Sequence, residues 1–343
     1  MISTKRLGSL MAATATLALL AAGQAQAEGE LNLYSSRHYD TDERLYTGFT
    51  EATGIKINRI EGKADALIAR LEAEGENSPA DVLLTVDAGR IWRADQAGLL
   101  APIESDVLEA RIPAHLRHPE GHWFGFSQRA RIFFYAKDRV DTPPTTYEAL
   151  ADDAFEGRIC ARSSSNIYML SLMASIIDEH GEDVARDWGQ GLYDNLARRP
   201  QGGDTDQLRG LVSGECDIVV SNTYYFARAI GGEVDGVSEG LETIGWVFPN
   251  QSDRGAHVNI SGGAVLANAP NRENAIKFLE YLASDQAQQY FSDGNNEYPA
   301  VPGVALGPNV AAMGLFRQDD RNLSVLGENQ PKAQQLWDEI GYP

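Results

Sequence analysis

Tyr224 and Tyr225 stand side by side directly after an apolar run, CDIVV over 216–220. That run predicts a buried strand, and the pair falls where the strand gives way to a helix. Ligands of open α/β folds collect at such strand ends. A phenol is an uncommon metal ligand. Its pKa is about 10, so only a strongly acidic cation ionises it near neutral pH. Two other predicted strand-to-helix turns carry His38-Tyr39 and, within SSSNIY, Tyr168. Fe3+ is small, highly charged and hard, so it prefers anionic oxygen. A histidine can add a fifth donor once its second nitrogen is oriented. Four phenolates around Fe3+ leave one excess negative charge, which a nearby arginine would offset. Arg37, Arg131 and Arg228 are the candidates, Arg228 lying one helical turn past Tyr225. Taken singly, a tyrosine is more often a packing residue with its hydroxyl paired. The recurrence of His-Tyr, Tyr and Tyr-Tyr at separate turns is what sets these positions apart.

The elements that must position them follow from periodicity. A strand at 31–34 leads through a turn into a helix from about Thr41, with Asp40 or Thr41 as its cap and Gly54 closing it. Residues 55–60 alternate as a strand. Residues 64–74 place Ala64, Leu67, Ile68 and Leu71 on one helical face. A buried strand at 81–86 and a helix at 91–97 complete an α/β rhythm. Strands starting at Phe124 and Arg131 are expected to cross from one lobe to another. The second half repeats the class: a strand at 158–161, helices at 168–179, 182–198 and 205–213, then strands at 216–220 and 243–248. A return strand at 255–267, broken at Gly262-Gly263, and a helix at 274–283 follow. Tyr34, Tyr46, Tyr135, Tyr193, Tyr281 and Tyr290 fall inside these elements, at packing positions.

Bulk properties narrow the class. Residues 1–27 read as a Sec export leader, with basic Lys5-Arg6, an apolar stretch from Leu10 to Ala22 and an A-x-A site ending at Ala27. This predicts a periplasmic protein that does not insert into the membrane. The chain carries 29 Lys+Arg against 49 Asp+Glu, a net charge of −20, which argues against nucleic acid or anionic membrane as partner. A chain of 343 residues exceeds one comfortable core, so two lobes are expected. Cys160 and Cys216 are the two cysteines. In an oxidising compartment they point to one disulfide, with two buried free thiols as the alternative. No GxGxxG, P-loop, G-x-S-x-G elbow or HExxH occurs in the sequence. His115, His118 and His122 have helical spacing, but Pro113, Pro119 and Gly121 make this stretch a loop, where a surface metal site is the minority reading.

Several segments together resemble the periplasmic ferric-iron-binding proteins of ABC importers, in the FutA-like and FbpA-like branch of the type II solute-binding fold. They are LYSSRHY over 33–39, DVLLTVDAG over 81–89, Arg129-Ala-Arg131, CARSSSNIY over 160–168 and GECDIVVSNTYY over 214–225. The likeness runs from Leu31 to about Gly303. It implies an α/β protein of two lobes, with mixed sheets flanked by helices and a hinge made of crossover strands. Residues 28–126 plus about 253–302 would form the N-lobe, and about 127–252 plus about 303–343 the C-lobe. It implies Fe3+ as the transported ligand of His38, Tyr39, Tyr168, Tyr224 and Tyr225, with His38 the ligand that varies most among relatives. A synergistic anion held by arginine and a hydroxyl occurs in some of them. The implied protein is a monomer that binds and delivers rather than catalyses, with an inner-membrane ABC permease as partner. The rival readings are a type II protein for an organic cation such as a polyamine, held by cation–π contacts, and a site for Fe2+ or another divalent ion.

Overall fold

The computed structural model describes residues 29–37 and 42–343. The leader with its cleavage site at Ala27, the cap at Asp40 or Thr41, and the proposed ligands His38 and Tyr39 lie outside the described residues. Nine strands are present among those described: β1 (Glu30–Ser35), β2 (Lys56–Glu61), β3 (Val82–Val86), β4 (Phe124–Ala136), β5 (Ile159–Cys160), β6 (Ile218–Asn222), β7 (Ile244–Val247), β8 (Val258–Val265) and β9 (Tyr298–Pro299). They form one mixed sheet in the order β2-β1-β3-β8-β4-β6-β5, with β7 and β9 also paired to β4. The β1–β2, β1–β3 and β5–β6 pairs are parallel, and β8 is antiparallel to both β3 and β4.

The organising strand is β4. The sequence suggests two strands here, and the structure has one of 13 residues, buried throughout except at Tyr135. Its first half, Phe124 to Ala130, pairs with β8. Its second half, Arg131 to Tyr135, pairs with β6 on one side, and Phe133 to Ala136 pair with β7 on the other. One strand therefore belongs to two groups of partners, and the exchange falls between Ala130 and Arg131. The chain returns from β7 to β8 through residues 248–257.

Other boundaries follow the periodicity closely. The helix Ala64–Glu74 lies where its apolar face predicts, and Glu43–Thr53 ends at a left-handed Gly54, φ 73°. Two further expectations need correction. The Gly262-Gly263 pair does not break β8. A Cβ at Gly263 would sit 2.7 Å from Leu84 Cδ2 and 3.0 Å from Phe126 Cε2, so glycine lets β3 and β4 close on β8 from both sides. The helix expected to reach residue 198 stops at Asp194. There the Asn195 amide turns to the carbonyls of Leu150 and Asp152, and Leu196 forms a bridge beside Ile159.

Cys160 and Cys216 are joined in a disulfide, with Cα atoms 5.8 Å apart. The C-terminal helix Gln330–Ile340 covers the helices Ile167–His180 and Glu182–Asp194, with Trp188 and Trp337 ring centroids 6.0 Å apart. The short helix Ser324–Glu328 packs against both Ala88–Gln96 and Ile167–His180. Gly327 is needed there, because a Cβ would fall 2.3 Å from the Trp92 ring.

Where β4 changes partners, a buried polar chain links it to the start of β8. Tyr147 Oη donates to the Arg131 carbonyl at 2.6 Å and accepts the His257 N–H at 2.9 Å, while the Arg131 N–H reaches the His257 carbonyl. Burial lowers the His257 pKa to about 3, and Arg131, Arg321 and Arg254 add to the effect. The unfolded chain protonates this ring near pH 6.5 and the folded one does not until about 3. Stability is therefore full above about 6.5 and falls as pH drops through that window, by about 1.4 kcal/mol per unit. Between pH 7 and pH 5 the wild type should lose on the order of 2 kcal/mol more than His257→Asn in urea unfolding. An equal loss in the two proteins removes His257 as the cause.

Candidate metal centre

The strand β6 is buried along its whole length, and the helix Thr223–Ile230 begins at once after Asn222. Tyr224 and Tyr225 therefore occupy the helix's first turn. Tyr224 is buried and Tyr225 half-buried, with ring centroids 4.1 Å apart. Tyr168 is the second residue of the helix Ile167–His180, whose cap Asn166 accepts the Tyr168 N–H at 3.1 Å. The Tyr168 and Tyr224 hydroxyl oxygens are 3.4 Å apart. Two helix N-termini thus bring their phenols together, at the end of the dipole that favours negative charge.

Two arginines flank these rings. Arg129 and Arg131 lie two residues apart on β4, hence on one face, and both are at most 2% exposed. The Arg129 guanidinium carbon is 5.8 Å from the Tyr224 ring centre, and that of Arg131 is 5.7 Å from the Tyr168 ring. Such buried cations need partners. Arg131 bonds Asp204 at 2.8 Å, Asn222 at 3.0 Å and the Val220 carbonyl at 3.3 Å, and Arg162 meets the other Asp204 oxygen at 2.8 Å. Arg129 pairs with Glu297 and donates to Ser261 Oγ at 2.7 Å. Glu297 also accepts from Ser127 at 2.5 Å and Arg37 at 3.3 Å, and Arg37 is held by Asp42 at 3.0 Å. Burial works to raise the Glu297 pKa, but Arg129 and Arg37 outweigh it and hold the carboxyl below its ordinary value. Among the described residues the ion pairs form two groups, Arg37 and Arg129 with Asp42 and Glu297, and Arg131 and Arg162 with Asp204.

A cleft of about 580 Å³ opens beside Tyr168. Ser36, Glu61, Lys63, Val86 and Arg90 line one side and Tyr168 the other. A buried acid fixes the helix bearing Tyr168. Asp87, at φ 80°, caps the helix Ala88–Gln96 through the Gly89 N–H at 2.8 Å. It also accepts from Ser171 Oγ at 2.8 and 2.9 Å and from the Asn259 amide at 2.8 Å. Burial raises the Asp87 pKa despite these donors.

Of the residues singled out in the sequence, Tyr168, Tyr224 and Tyr225 converge, with Arg131 beside them. Arg37 belongs to the buried ion pairs around Glu297, with Arg129. Arg228 instead sits 38% exposed and pairs with Glu233 at 3.3 Å. Sequence reasoning missed Arg129 as the partner of Tyr224, and it missed Asp204, Glu297 and Asp87. The Arg-x-Arg spacing on one strand was a usable signal for Arg129. The acids come from distant segments and leave no local trace.

Comparison with known proteins is consistent across the chain. Residues 44–318 match the family model described as bacterial extracellular solute-binding protein. The Synechocystis protein named iron uptake protein A2 is 51% identical over 315 residues, covering 91% of this chain and 90% of that one. The solved FutA structure from Trichodesmium, described in complex with iron and citrate ligands, is 52% identical with a TM-score of 0.88, covering 92% of this chain and 100% of that one. The ferric binding protein from Campylobacter jejuni is 40% identical at a TM-score of 0.85, covering 91% and 100%.

The Arg131–Asp204 pair is open to direct test. Asp204→Leu leaves Arg131 buried without its main partner and should cost about 3–5 kcal/mol in urea unfolding. Arg131→Met in the same background should recover part of that loss. Strict additivity of the two substitutions removes the coupling.

Proposed function

The chain belongs to the bacterial extracellular solute-binding protein family and has its type II periplasmic-binding fold, and on that premise we propose that it captures Fe3+ at the tyrosine cluster and delivers it to an ABC permease. The observation that carries this is the meeting of Tyr168 and Tyr224, with hydroxyl oxygens 3.4 Å apart and the Tyr225 ring tilted against that of Tyr224, centroids 4.1 Å apart. Phenol oxygens grouped this closely suit a hard trivalent cation, whose charge lowers the phenol pKa far enough for ionisation. His38 and Tyr39 complete the ligand set in this reading. They follow Arg37 directly, and Arg37 is tied to Glu297 and through it to Arg129. Arg129 and Arg131, lying against the Tyr224 and Tyr168 rings, offset part of the negative charge that several phenolates bring. Iron uptake and ferric binding in the names of the relatives agree with this cargo.

The two lobes divide near the point where β4 exchanges partners, which supports an N-lobe of 28–126 plus about 253–302 and a C-lobe of about 127–252 plus about 303–343. Tyr168, Tyr224 and Tyr225 then sit on the C-lobe and His38-Tyr39 on the N-lobe. Closure brings the two sets together, and the ion stabilises the closed form by its greater affinity for it. The leader directs the protein to the periplasm, with cleavage near Ala27, and the protein works there as a monomer. No helix among the described residues is long and apolar enough to cross a membrane. The organic-cation reading is disfavoured by the arginines. An aromatic box needs open ring faces, and guanidiniums already lie against the Tyr168 and Tyr224 rings.

Purified protein given ferric citrate should develop a broad visible phenolate-to-Fe3+ charge-transfer band. Tyr224→Phe or Tyr168→Phe should shift and weaken the band. Each should lower affinity by more than about a hundredfold, the upper end for residues that merely orient ligands. A colourless protein, or a Tyr224→Phe variant indistinguishable from wild type, sinks the ferric reading. Saturable binding of a polyamine without colour would put the organic cation in its place.

A further inference from the structure

A second group of ligating side chains lies away from the tyrosines. Asp95, His118 and His122 each offer an oxygen or nitrogen, and these atoms all fall within 4.8 Å of one another. The grouping differs from the one the sequence suggests, since His115 is not part of it and Asp95 enters from another element. His122 Nδ1 is 2.5 Å from Asp95 Oδ1, and His118 Nε2 is 3.6 Å from Asp95 Oδ2. The two imidazoles stack with centroids 4.4 Å apart. We infer that Asp95, His118 and His122 form a metal site, separate from the ferric cluster, for a divalent transition ion of the Zn2+, Ni2+ or Cu2+ class.

The backbone holds the three residues in place before any ion arrives. His118 and His122 face each other across a tight hairpin. The His118 N–H donates to the Trp123 carbonyl at 2.9 Å, and the Gly121 N–H to the His118 carbonyl at 3.1 Å. The antiparallel bridge between Arg117 and Phe124 closes its base. Gly121 takes φ +75°, and a Cβ there would lie 2.4 Å from the Ile103 carbonyl oxygen, so this turn accepts glycine alone. Asp95 is in the last turn of the helix Ala88–Gln96 and is 6% exposed. The two rings are 17% and 24% exposed, which leaves a side open to solvent.

The donor set selects the ion. Two imidazoles with one carboxylate suit Zn2+, Ni2+ and Cu2+, whereas Ca2+ and Mg2+ call for oxygen alone. Donor atoms around one tetrahedral ion stand roughly 3.3 Å apart for metal–nitrogen distances near 2.05 Å. The three donor atoms here lie within 4.8 Å of one another, so small side-chain shifts bring them onto one ion. One bond must be given up. His118 Nδ1 accepts the Glu120 N–H at 3.1 Å, and binding through Nε2 moves the proton onto Nδ1. At an exposed position this weakens affinity by about tenfold at most. The site is independent of the iron cluster. Asp95 lies eight residues along its helix from Asp87, about 12 Å at 1.5 Å per residue, and Asp87 is the residue that faces the Tyr168 helix.

The test is titration of the iron-free mature protein with Zn2+ by calorimetry, and with Cu2+ by tryptophan fluorescence. The Trp123 ring lies 6.0 Å from His118 and reports the Cu2+ ion by quenching. One ion should bind per chain through these residues. His118→Ala and His122→Gln should each lower the affinity at least about tenfold while melting curves and the ferric charge-transfer band stay as in wild type. No saturable uptake of either ion overturns the site, and so does uptake undiminished in a folded His118→Ala/His122→Gln protein.

Discussion

Two guanidiniums buried on one strand set the terms for everything around them. Arg129 and Arg131 point the same way from β4, at the place where that strand leaves one set of partners for another. A charge so deep is tolerable only if paired and hydrogen-bonded. The two arginines find their carboxylates in opposite directions. Arg131 reaches Asp204 at the start of a helix, and Arg129 reaches Glu297 just before β9. Meeting both demands draws the segment after β6, the turn before the Tyr168 helix and the stretch around residue 297 onto one small floor. The tyrosine rings lie over that floor.

This arrangement gives the tyrosine cluster a fixed support and sets it against a wall from other elements. Tyr168, Tyr224 and Tyr225 hang from two helix starts supported by β5 and β6. Ser36, Val86 and Arg90 form the facing wall of the cleft from the ends of β1 and β3 and the helix behind them. Asp87 touches both sides through Ser171 and Asn259. A solute-binding protein needs a floor that keeps its shape and a wall that moves against it. Here the floor is held by ion pairs, and Asp87 joins the facing wall to the Tyr168 helix through Ser171, beside the helix Ser324–Glu328 that packs on both.

The sequence carried the cluster better than its supports. Strand-then-turn spacing located Tyr168, Tyr224 and Tyr225, because each sits within a residue or two of a helix start that apolar periodicity marks. His38 and Tyr39 came from the same logic and lie outside the described residues; Arg37 before them pairs with Asp42 and Glu297. The division of β4 into two strands failed because buried arginines interrupt an apolar run in sequence while continuing it in space. The break expected at Gly262-Gly263 failed for a related reason. Glycine there answers to neighbouring strands, which local pattern cannot show. Asp204 and Glu297 were invisible, since their partners are 73 and 168 residues distant. Asp95 was missed beside His118 and His122 for the same cause.

The disulfide acquires a particular meaning from where it lies. Cys160 precedes Tyr168 by as many residues as Cys216 precedes Tyr224, so the crosslink sits at equal arc length behind two of the facing phenols. The strand it guards, β5, is only two residues long and meets β6 in just two register pairs, Ile159 with Ile218 and Cys160 with Val219. So short a pairing could slide. A slip of one residue displaces a strand by about 3.3 Å, which is the whole gap between the Tyr168 and Tyr224 hydroxyls. The covalent tie works as an alignment pin for this short pairing, and so for the two segments that lead into the phenols.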